Sequence, residues 1–134
     1  MELRSLHHCV YRLHYHLVLV TKYRRPVLTG EMLDFLREHF ERVLARWGCR
    51  LVEFSGEADH VHLLFEAHPN LRLSALVCNL KTTSSRRLRR VFRDRVRRFY
   101  RRPVFWHRSY CIISAGGVPL EVLREYIRRQ ERPE

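Results

Sequence analysis

The sequence carries two histidines, one residue apart, that are suited to binding a metal ion. His60 and His62 alternate with Val61 and Leu63 in a short apolar stretch. Side chains that alternate in this way project to opposite faces of a β-strand. Both imidazoles therefore lie on one face, where they can share one divalent ion. Because such a pair is also common at the solvated edge of a core, the pattern alone is a weak indication of a metal site.

A tyrosine and a glutamine lie one helical turn apart near the end of the chain. Tyr126 and Gln130 belong to a predicted helix with Pro119 at its first position, and residues four apart share one helix face. The phenol is a possible nucleophile and the glutamine amide a possible third metal ligand. Tyr126 also falls within the apolar arc that contains Leu123 and Ile127, so a buried core tyrosine is the alternative.

A second histidine pair and two carboxylates compete for roles in the same chemistry. His14 and His16 lie on the first predicted strand, and we rank them below His60 and His62 because no tyrosine-bearing helix accompanies them. Glu57 and Asp59 flank the turn before His60, where carboxylates are usually solvated. We therefore expect neither carboxylate to act as a base.

The charge of the chain indicates a nucleic-acid partner. Lysine and arginine number 26 against 14 acidic residues, which gives a formal net charge of +12. Arginine supplies nearly all of this charge, and its planar fork of donors suits phosphate. Ten arginines and one aspartate lie within residues 86–102. The candidate DNA contacts are Lys22, Arg24, Arg25, Arg86, Arg87, Arg89 and Arg90.

The order of predicted elements is β-α-β-β-α-β-α, without an internal repeat or linker. The strands are expected at 12–21, 50–55, 60–66 and 110–114. The first helix is expected at 31–47, capped by Thr29 and stopped by Gly48. A second helix begins within 71–74 and enters the basic run. The sequence thus predicts one α+β domain over 1–134: a ferredoxin-like antiparallel sheet with helices packed on it and an added C-terminal helix carrying Tyr126.

Composition excludes several classes of protein. The 134 residues are 46% hydrophobic, enough for one ordinary core. Cys9, Cys49, Cys78 and Cys111 are scattered without a paired motif, so we expect buried thiols in a reducing cytoplasm. No apolar stretch is long enough for a membrane span, and the N-terminus lacks a signal-peptide core. A soluble cytoplasmic protein is the prediction.

Several linked motifs resemble the TnpA-type single-tyrosine HUH transposases of the smallest bacterial insertion sequences, including the REP-associated tyrosine transposases. The resemblance runs from about Tyr11 to Gln130, and its order and spacing match throughout. The matching segments are 60–64, 105–110, Gly116 with Gly117, Tyr126 with Gln130, 21–26 and 84–88.

The resemblance implies a mechanism and partners. Tyr126 would be the nucleophile, and His60, His62 and Gln130 would hold Mg²⁺ or Mn²⁺. The enzyme would cleave and rejoin single-stranded DNA with hairpin ends through a 5′-phosphotyrosine, without a nucleotide cofactor. It would act as a homodimer in which Tyr126 of one subunit completes the histidine pair of the other. The alternative is a catalytically inactive or domesticated hairpin-binding domain; a zinc hydrolase is more distant, since no H-E-x-x-H motif is present.

Overall fold

The structure, a computed structural model, describes residues 4–6, 9–11, 13–116 and 119–129. The strands and helices alternate along the chain much as the sequence predicts. In chain order they are β1 (Arg4–Leu6), β2 (Cys9–Tyr11), β3 (Leu13–Thr21), a 3₁₀ helix (Lys22–Arg24), α1 (Gly30–Arg46), β4 (Arg50–Gly56), β5 (His60–Ala67), α2 (Leu73–Val91), α3 (Arg93–Arg97), β6 (Trp106–Ser114) and α4 (Leu120–Arg128).

The four longer strands form one antiparallel sheet in the order β4-β5-β3-β6, and β1 pairs with β2 separately. β5 and β3 are therefore the central strands, while β4 and β6 are the edges. β4 and β5 form the predicted hairpin, whereas β3 and β6 are joined to it across long connections. This strand order with its crossing helices is ferredoxin-like, and it confirms the α+β prediction.

Helix α1 begins and ends where its capping residues predict. The Thr29 hydroxyl accepts a hydrogen bond from the Met32 backbone N–H at 3.2 Å, which satisfies one of the unpaired donors of the first turn. Gly48, with φ of +71°, follows the C-terminus in the left-handed region that favours glycine. Between these ends Leu36 and Phe40 are fully buried, so α1 presents one apolar face to the sheet.

The main core lies on one face of the sheet, beneath α1 and α2. Leu17 and Leu19 of β3 and Val61, Leu63 and Phe65 of β5 are completely buried there. These residues occupy alternate positions on the two central strands. The intervening positions therefore project to the opposite face, where α4 lies.

The last strand begins earlier than the sequence predicts. β6 begins at Trp106 rather than at residue 110, and its pairing with β3 shifts register between Leu19 and Thr21. The Trp106 indole N–H donates to the Ser84 hydroxyl at 2.8 Å, which fixes this irregular start against α2. Such a bulge interrupts the alternation that marks a strand in sequence.

The expectation of buried cysteines is wrong for two of them. Cys49 is buried, but Cys78 and Cys111 are exposed. The side chain of Cys9 lies outside the described part of the structure. Among the described helices, none combines the length and the apolar composition that crossing a membrane requires.

A buried histidine links α1 to α2. The Arg87 guanidinium donates to His39 Nδ1 at 3.1 Å, and His39 Nε2 lies 2.9 Å from the Thr83 hydroxyl. Since that hydroxyl donates to the Asn79 carbonyl at 2.7 Å, it accepts from His39 Nε2–H. Both ring nitrogens are thus satisfied in the neutral form. Burial, reinforced by nearby arginine charges including Arg87, lowers the pKa of His39 to about 4.

This histidine predicts a loss of stability in mild acid. An unfolded-state histidine has a pKa near 6.5, so between about 6.5 and about 4 the unfolded state binds a proton that the folded state does not. The contribution of His39 to the free energy of unfolding is of order 3 kcal/mol. It is fully present above pH 6.5 and is lost as the pH falls to about 4. Urea unfolding at several pH values measures it. His39→Gln, which cannot titrate, should show a smaller loss over this range, and an equal loss in both proteins would contradict the assignment.

Candidate active site

The two histidines of β5 lie on the sheet face that is opposite the main core. The ring centroids of His60 and His62 are 5.0 Å apart. His62 is only 6% exposed, and its Nε2 atom is buried without a hydrogen-bond partner within the described part of the chain. A buried polar atom without a partner is costly in a folded protein. This atom is therefore a candidate ligand for a cation.

The turn before β5 supplies carboxylates to His60. His60 Nδ1 lies 2.7 Å from Asp59 Oδ1, and Asp59 Oδ2 lies 3.5 Å from Arg24 Nε. Burial alone would raise the pKa of Asp59, but the hydrogen bond from His60, its charge and Arg24 outweigh burial and lower that pKa. Asp59 thus accepts the Nδ1–H of His60, which leaves Nε2 as the ligand atom. We expected a solvated carboxylate at this turn, but Asp59 instead pairs with His60 and Arg24.

Glu57 lies beside the other nitrogen of this ring. Its Oε2 atom is 3.9 Å from His60 Nε2. One ligand atom from each of Glu57, Asp59 and His60 lies within 4.8 Å of the others, an arrangement with the donors to hold a divalent cation. A carboxylate oxygen next to the His60 imidazole suits Mn²⁺ and brings the donor set closer to what Mg²⁺ prefers.

His16 lies beside His62, a position that the sequence prediction did not give it. β3 pairs with β5 so that Val18 lies opposite His62, and His16, two residues away on the same face, reaches His62 diagonally. His16 Nε2 lies 2.9 Å from His62 Nδ1. Burial lowers the pKa of His16, and burial together with His16 and His60 lowers that of His62 to about 4. Both rings are therefore neutral at neutral pH, as metal binding requires.

His14 takes part in a different cluster. Its Nε2 atom lies 3.7 Å from a Glu66 carboxylate oxygen, and that carboxylate is 3.1 Å from the Arg50 guanidinium. The pair His14 and His16 is thus divided between two environments. It does not form a second site equivalent to His60 and His62.

Helix α4 docks on the same face through one buried side chain and a few polar contacts. Ile127 is fully buried in a small cluster with Leu64 and Ala115. The Ser55 hydroxyl donates to the Ile127 carbonyl, and the Glu53 carboxylate lies 3.0 Å from the Arg128 guanidinium. These contacts hold the helix across β4 and the middle of β5.

Docking of α4 brings Tyr126 to the histidines of its own chain. The Tyr126 ring centroid is 6.0 Å from that of His62 and 6.4 Å from that of His16, both edge-on. Tyr126 is 53% exposed, so the alternative that it is a core tyrosine is wrong. The neighbouring Ile127 is the residue that is buried, in the small cluster with Leu64 and Ala115. Gln130 lies outside the described residues.

The predicted DNA-contacting residues divide into two separate groups. Lys22, Arg24 and Arg25 follow directly after β3, at the end of the sheet where His60 begins. The other four lie on or near α2, which packs on the opposite face of the sheet from Tyr126. That second group comprises Arg86, Arg87, Arg89 and Arg90.

The four arginines of α2 are not equivalent. Arg86 and Arg90 are exposed. Arg87 donates to His39, and its guanidinium carbon lies 4.6 Å from the Phe35 ring centroid, whereas Arg89 Nε donates to the Ser85 hydroxyl at 3.2 Å. Arg86 and Arg90 are thus the members of this group most accessible to a ligand.

Comparison with known proteins identifies the family of this chain. The family model described as "Transposase IS200 like" matches residues 9–130. The chain belongs to this transposase family. It is 31% identical to the ISDra2 transposase TnpA of Deinococcus radiodurans over 134 residues, which is 100% of this chain and 95% of that protein. The resemblance found in the sequence is thereby confirmed at the level of the family.

Two further relatives lead to the same family. The transposase for insertion sequence element IS200 of Salmonella typhimurium is 31% identical over 127 residues, covering 95% of this chain and 82% of the relative. A Deinococcus radiodurans protein described as a transposase, solved by crystallography at 1.90 Å, superposes with a TM-score of 0.77. It is 30% identical, and the superposition covers 96% of this chain and 98% of that one.

The contact between His16 and His62 predicts which nitrogen of His62 carries its proton. One proton lies between His16 Nε2 and His62 Nδ1. If His62 held its proton on the partnerless Nε2, a buried N–H donor would be unsatisfied, which is the less favourable arrangement. We therefore expect the Nδ1–H tautomer of His62 in the metal-free protein. Two-bond ¹⁵N–¹H correlation spectra at neutral pH distinguish the tautomers.

A matched pair of variants isolates the role of His16. His16→Leu removes the acceptor, so both tautomers of His62 should be populated, while His14→Leu should leave the His62 signals unchanged. A wild-type His62 protonated on Nε2 would contradict a hydrogen bond donated by His62 Nδ1 to His16.

Proposed function

We propose that this transposase-family protein cleaves and rejoins single-stranded DNA at hairpin-marked element ends, with Tyr126 as the nucleophile. The observation that carries the proposal is the position of an exposed Tyr126 ring against His62 and His16, on the sheet face that holds His60. An accessible phenol beside a set of cation ligands is the arrangement needed for attack on a phosphodiester. The protein would act on DNA in the cytoplasm.

The proposed reaction conserves the energy of the phosphodiester bond. The Tyr126 oxygen forms a bond to phosphorus as the bond from phosphorus to the 3′ oxygen breaks. The phenol proton passes to solvent, and the leaving oxygen takes up a proton to become a free 3′-hydroxyl. A 3′-hydroxyl of another strand then attacks the 5′-phosphotyrosine and releases the phenol. No nucleotide cofactor is needed because each step exchanges one phosphoester for another.

We propose that His60, His62 and Gln130 hold Mg²⁺ or Mn²⁺, with Glu57 as an additional oxygen donor. The partnerless Nε2 of His62 and the carboxylate 3.9 Å from His60 Nε2 support this fit. When bound, the ion would polarise the scissile phosphate and stabilise its developing charge. Asp59 would orient the His60 imidazole through its Nδ1 atom, and His16 would do the same for His62. Residues that are hydrogen-bonded to metal ligands commonly have this role.

DNA binding is proposed to use the turn after β3 and the arginines of α2. Lys22, Arg24 and Arg25 lie next to the catalytic face and would contact the strand being cut. The exposed Arg86 and Arg90 would bind phosphates on the other face of the sheet. The half-buried Arg87 and Arg89 would contribute to the same basic surface. These contacts add affinity without sequence selection, so binding should weaken as salt concentration rises.

Substitution of Tyr126 tests the proposal directly. With a labelled single-stranded element end and Mg²⁺ or Mn²⁺, the wild-type protein should form a protease-sensitive covalent adduct. Tyr126→Phe removes only the phenol oxygen and should abolish the adduct without changing the melting temperature. Tyr110→Phe is the matched control and should form adduct normally. Adduct from Tyr126→Phe would mean that another tyrosine is the nucleophile; hairpin binding by the wild type without adduct in either metal would support the inactive binding domain.

We also propose that the protein is a homodimer with each site completed within one chain. β6 is an edge strand of the described sheet, and Ile113 on it is 54% exposed, so we propose that this strand pairs with a second copy. The resemblance implies an exchange of Tyr126 between subunits, but in the described chain Tyr126 already lies beside its own His62. The docking of Ile127 supports the in-chain arrangement.

Mixing inactive variants distinguishes the two arrangements. Tyr126→Phe and the double variant His60→Ala/His62→Ala each lack one part of the site. If each site is completed in one chain, a mixed dimer contains no intact centre, so cleavage should stay absent after the subunits exchange. Copurification of two different affinity tags demonstrates that exchange. Recovery of cleavage in the mixture would establish a site shared between subunits.

A further inference from the structure

We propose that the exposed ring of Tyr23 is a stacking platform for an unpaired base of the DNA strand at the catalytic face. This inference rests on the proposed function, because it needs a single-stranded substrate beside His60. The ligand is a nucleobase in a single strand, and the contact is made by the aromatic face of the tyrosine. Neither the catalytic chemistry nor the metal site uses Tyr23.

The conformation of Tyr23 separates it from an ordinary surface tyrosine. Its side chain is 68% exposed, and it belongs to neither apolar cluster of the described residues. Its φ is +58°, and that of Arg24 is +53°. Positive φ is uncommon for residues other than glycine and is a marked outlier for a bulky side chain. Strained backbone of this kind is concentrated at functional sites.

The strained turn is held in place by its surroundings. The Thr21 hydroxyl donates to the Arg25 carbonyl at 2.7 Å, closing the turn on itself. The Thr21 backbone N–H donates to the Asp59 carbonyl at 2.9 Å, and the Tyr100 hydroxyl donates to the Lys22 carbonyl at 2.6 Å. The ring of Tyr23 is therefore presented by a backbone anchored on both sides. Such pre-organisation lowers the entropy lost when a ligand binds.

The charges around Tyr23 suit a nucleic-acid strand. The Lys22 ammonium lies 5.4 Å from its ring centroid, and the Arg25 guanidinium carbon lies 5.6 Å from it. These distances are near the outer limit for a cation–π contact, so neither cation is packed tightly on the ring. An aromatic face beside two cations can stack a base while the cations contact the flanking phosphates.

The turn is also directly connected to the catalytic residues. Val20, three residues before Tyr23, pairs with His60 across the sheet. Arg24 lies 3.5 Å from Asp59, whose other carboxylate oxygen is 2.7 Å from His60 Nδ1. A strand that places its scissile phosphate near His60 would therefore pass beside the Tyr23 ring.

The experiment is a double-mutant cycle between the protein and the DNA. The probe is a fluorescein-labelled single-stranded oligonucleotide that reproduces the element end, with an abasic site introduced at one position at a time. Binding is measured by anisotropy in EDTA, so that no cleavage occurs. Tyr23→Leu should weaken binding of the intact probe roughly tenfold, the effect of losing one stacked base. At one abasic position the wild type should lose the same factor, while Tyr23→Leu should lose nothing further.

Two control variants separate stacking from folding. Tyr23→Phe keeps the ring and should bind like the wild type. Tyr23→Asn lacks the ring but tolerates positive φ, so it should fold and yet bind as weakly as Tyr23→Leu. The proposal is overturned if every abasic position affects the wild type and Tyr23→Leu equally, or if Tyr23→Phe binds as weakly as Tyr23→Leu. Because the assay contains no metal, its result is independent of whether Tyr126 forms an adduct.

Discussion

The antiparallel pairing of β3 with β5 is the constraint on which the site depends. These central strands place alternate side chains in the main core, including Leu17, Leu19 and Leu63. The same register places Val18 opposite His62 and so brings His16 against it. A shift of one residue on either strand would bury the histidines beneath α1 and α2 and expose leucines to α4. The large apolar core on one face therefore holds the imidazoles in position on the other.

Neutral imidazoles at this site follow from burial. His62 is 6% exposed and has a pKa of about 4, so it can offer a lone pair at neutral pH. Its buried Nε2 has no partner in the described part of the chain. Such an atom lowers stability unless something binds it. The fold thus carries an unsatisfied candidate ligand atom beside Tyr126, the proposed nucleophile, an arrangement explained by function rather than by stability.

Local patterns in the sequence predict the parts of the site that lie on single elements. The shared face of His60 and His62 follows from the two-residue period of a strand, and the start of α1 follows from Thr29 as its cap. The role of His16 depends on the register between two strands that are 46 residues apart at this contact, which no local pattern specifies. On a helical wheel Tyr126 and Ile127 share one apolar arc, so the wheel does not tell which of them is buried. The sequence prediction for β6 is too short because the bulge after Trp106 breaks its alternation.

The proposed nucleophile and the proposed metal ligands lie on elements that the fold supports in different ways. His60 and His62 lie on a central strand that is paired on both sides and backed by the main core. Tyr126 lies on a helix whose only described fully buried side chain is Ile127, supplemented by ion pairs from Glu53 to arginines at its surface. Tyr126 itself is 53% exposed on a helix that packs on one face of the sheet. In the proposed strand transfer, the histidines would keep their geometry on the central strand while the exposed tyrosine presents its DNA end to a second strand.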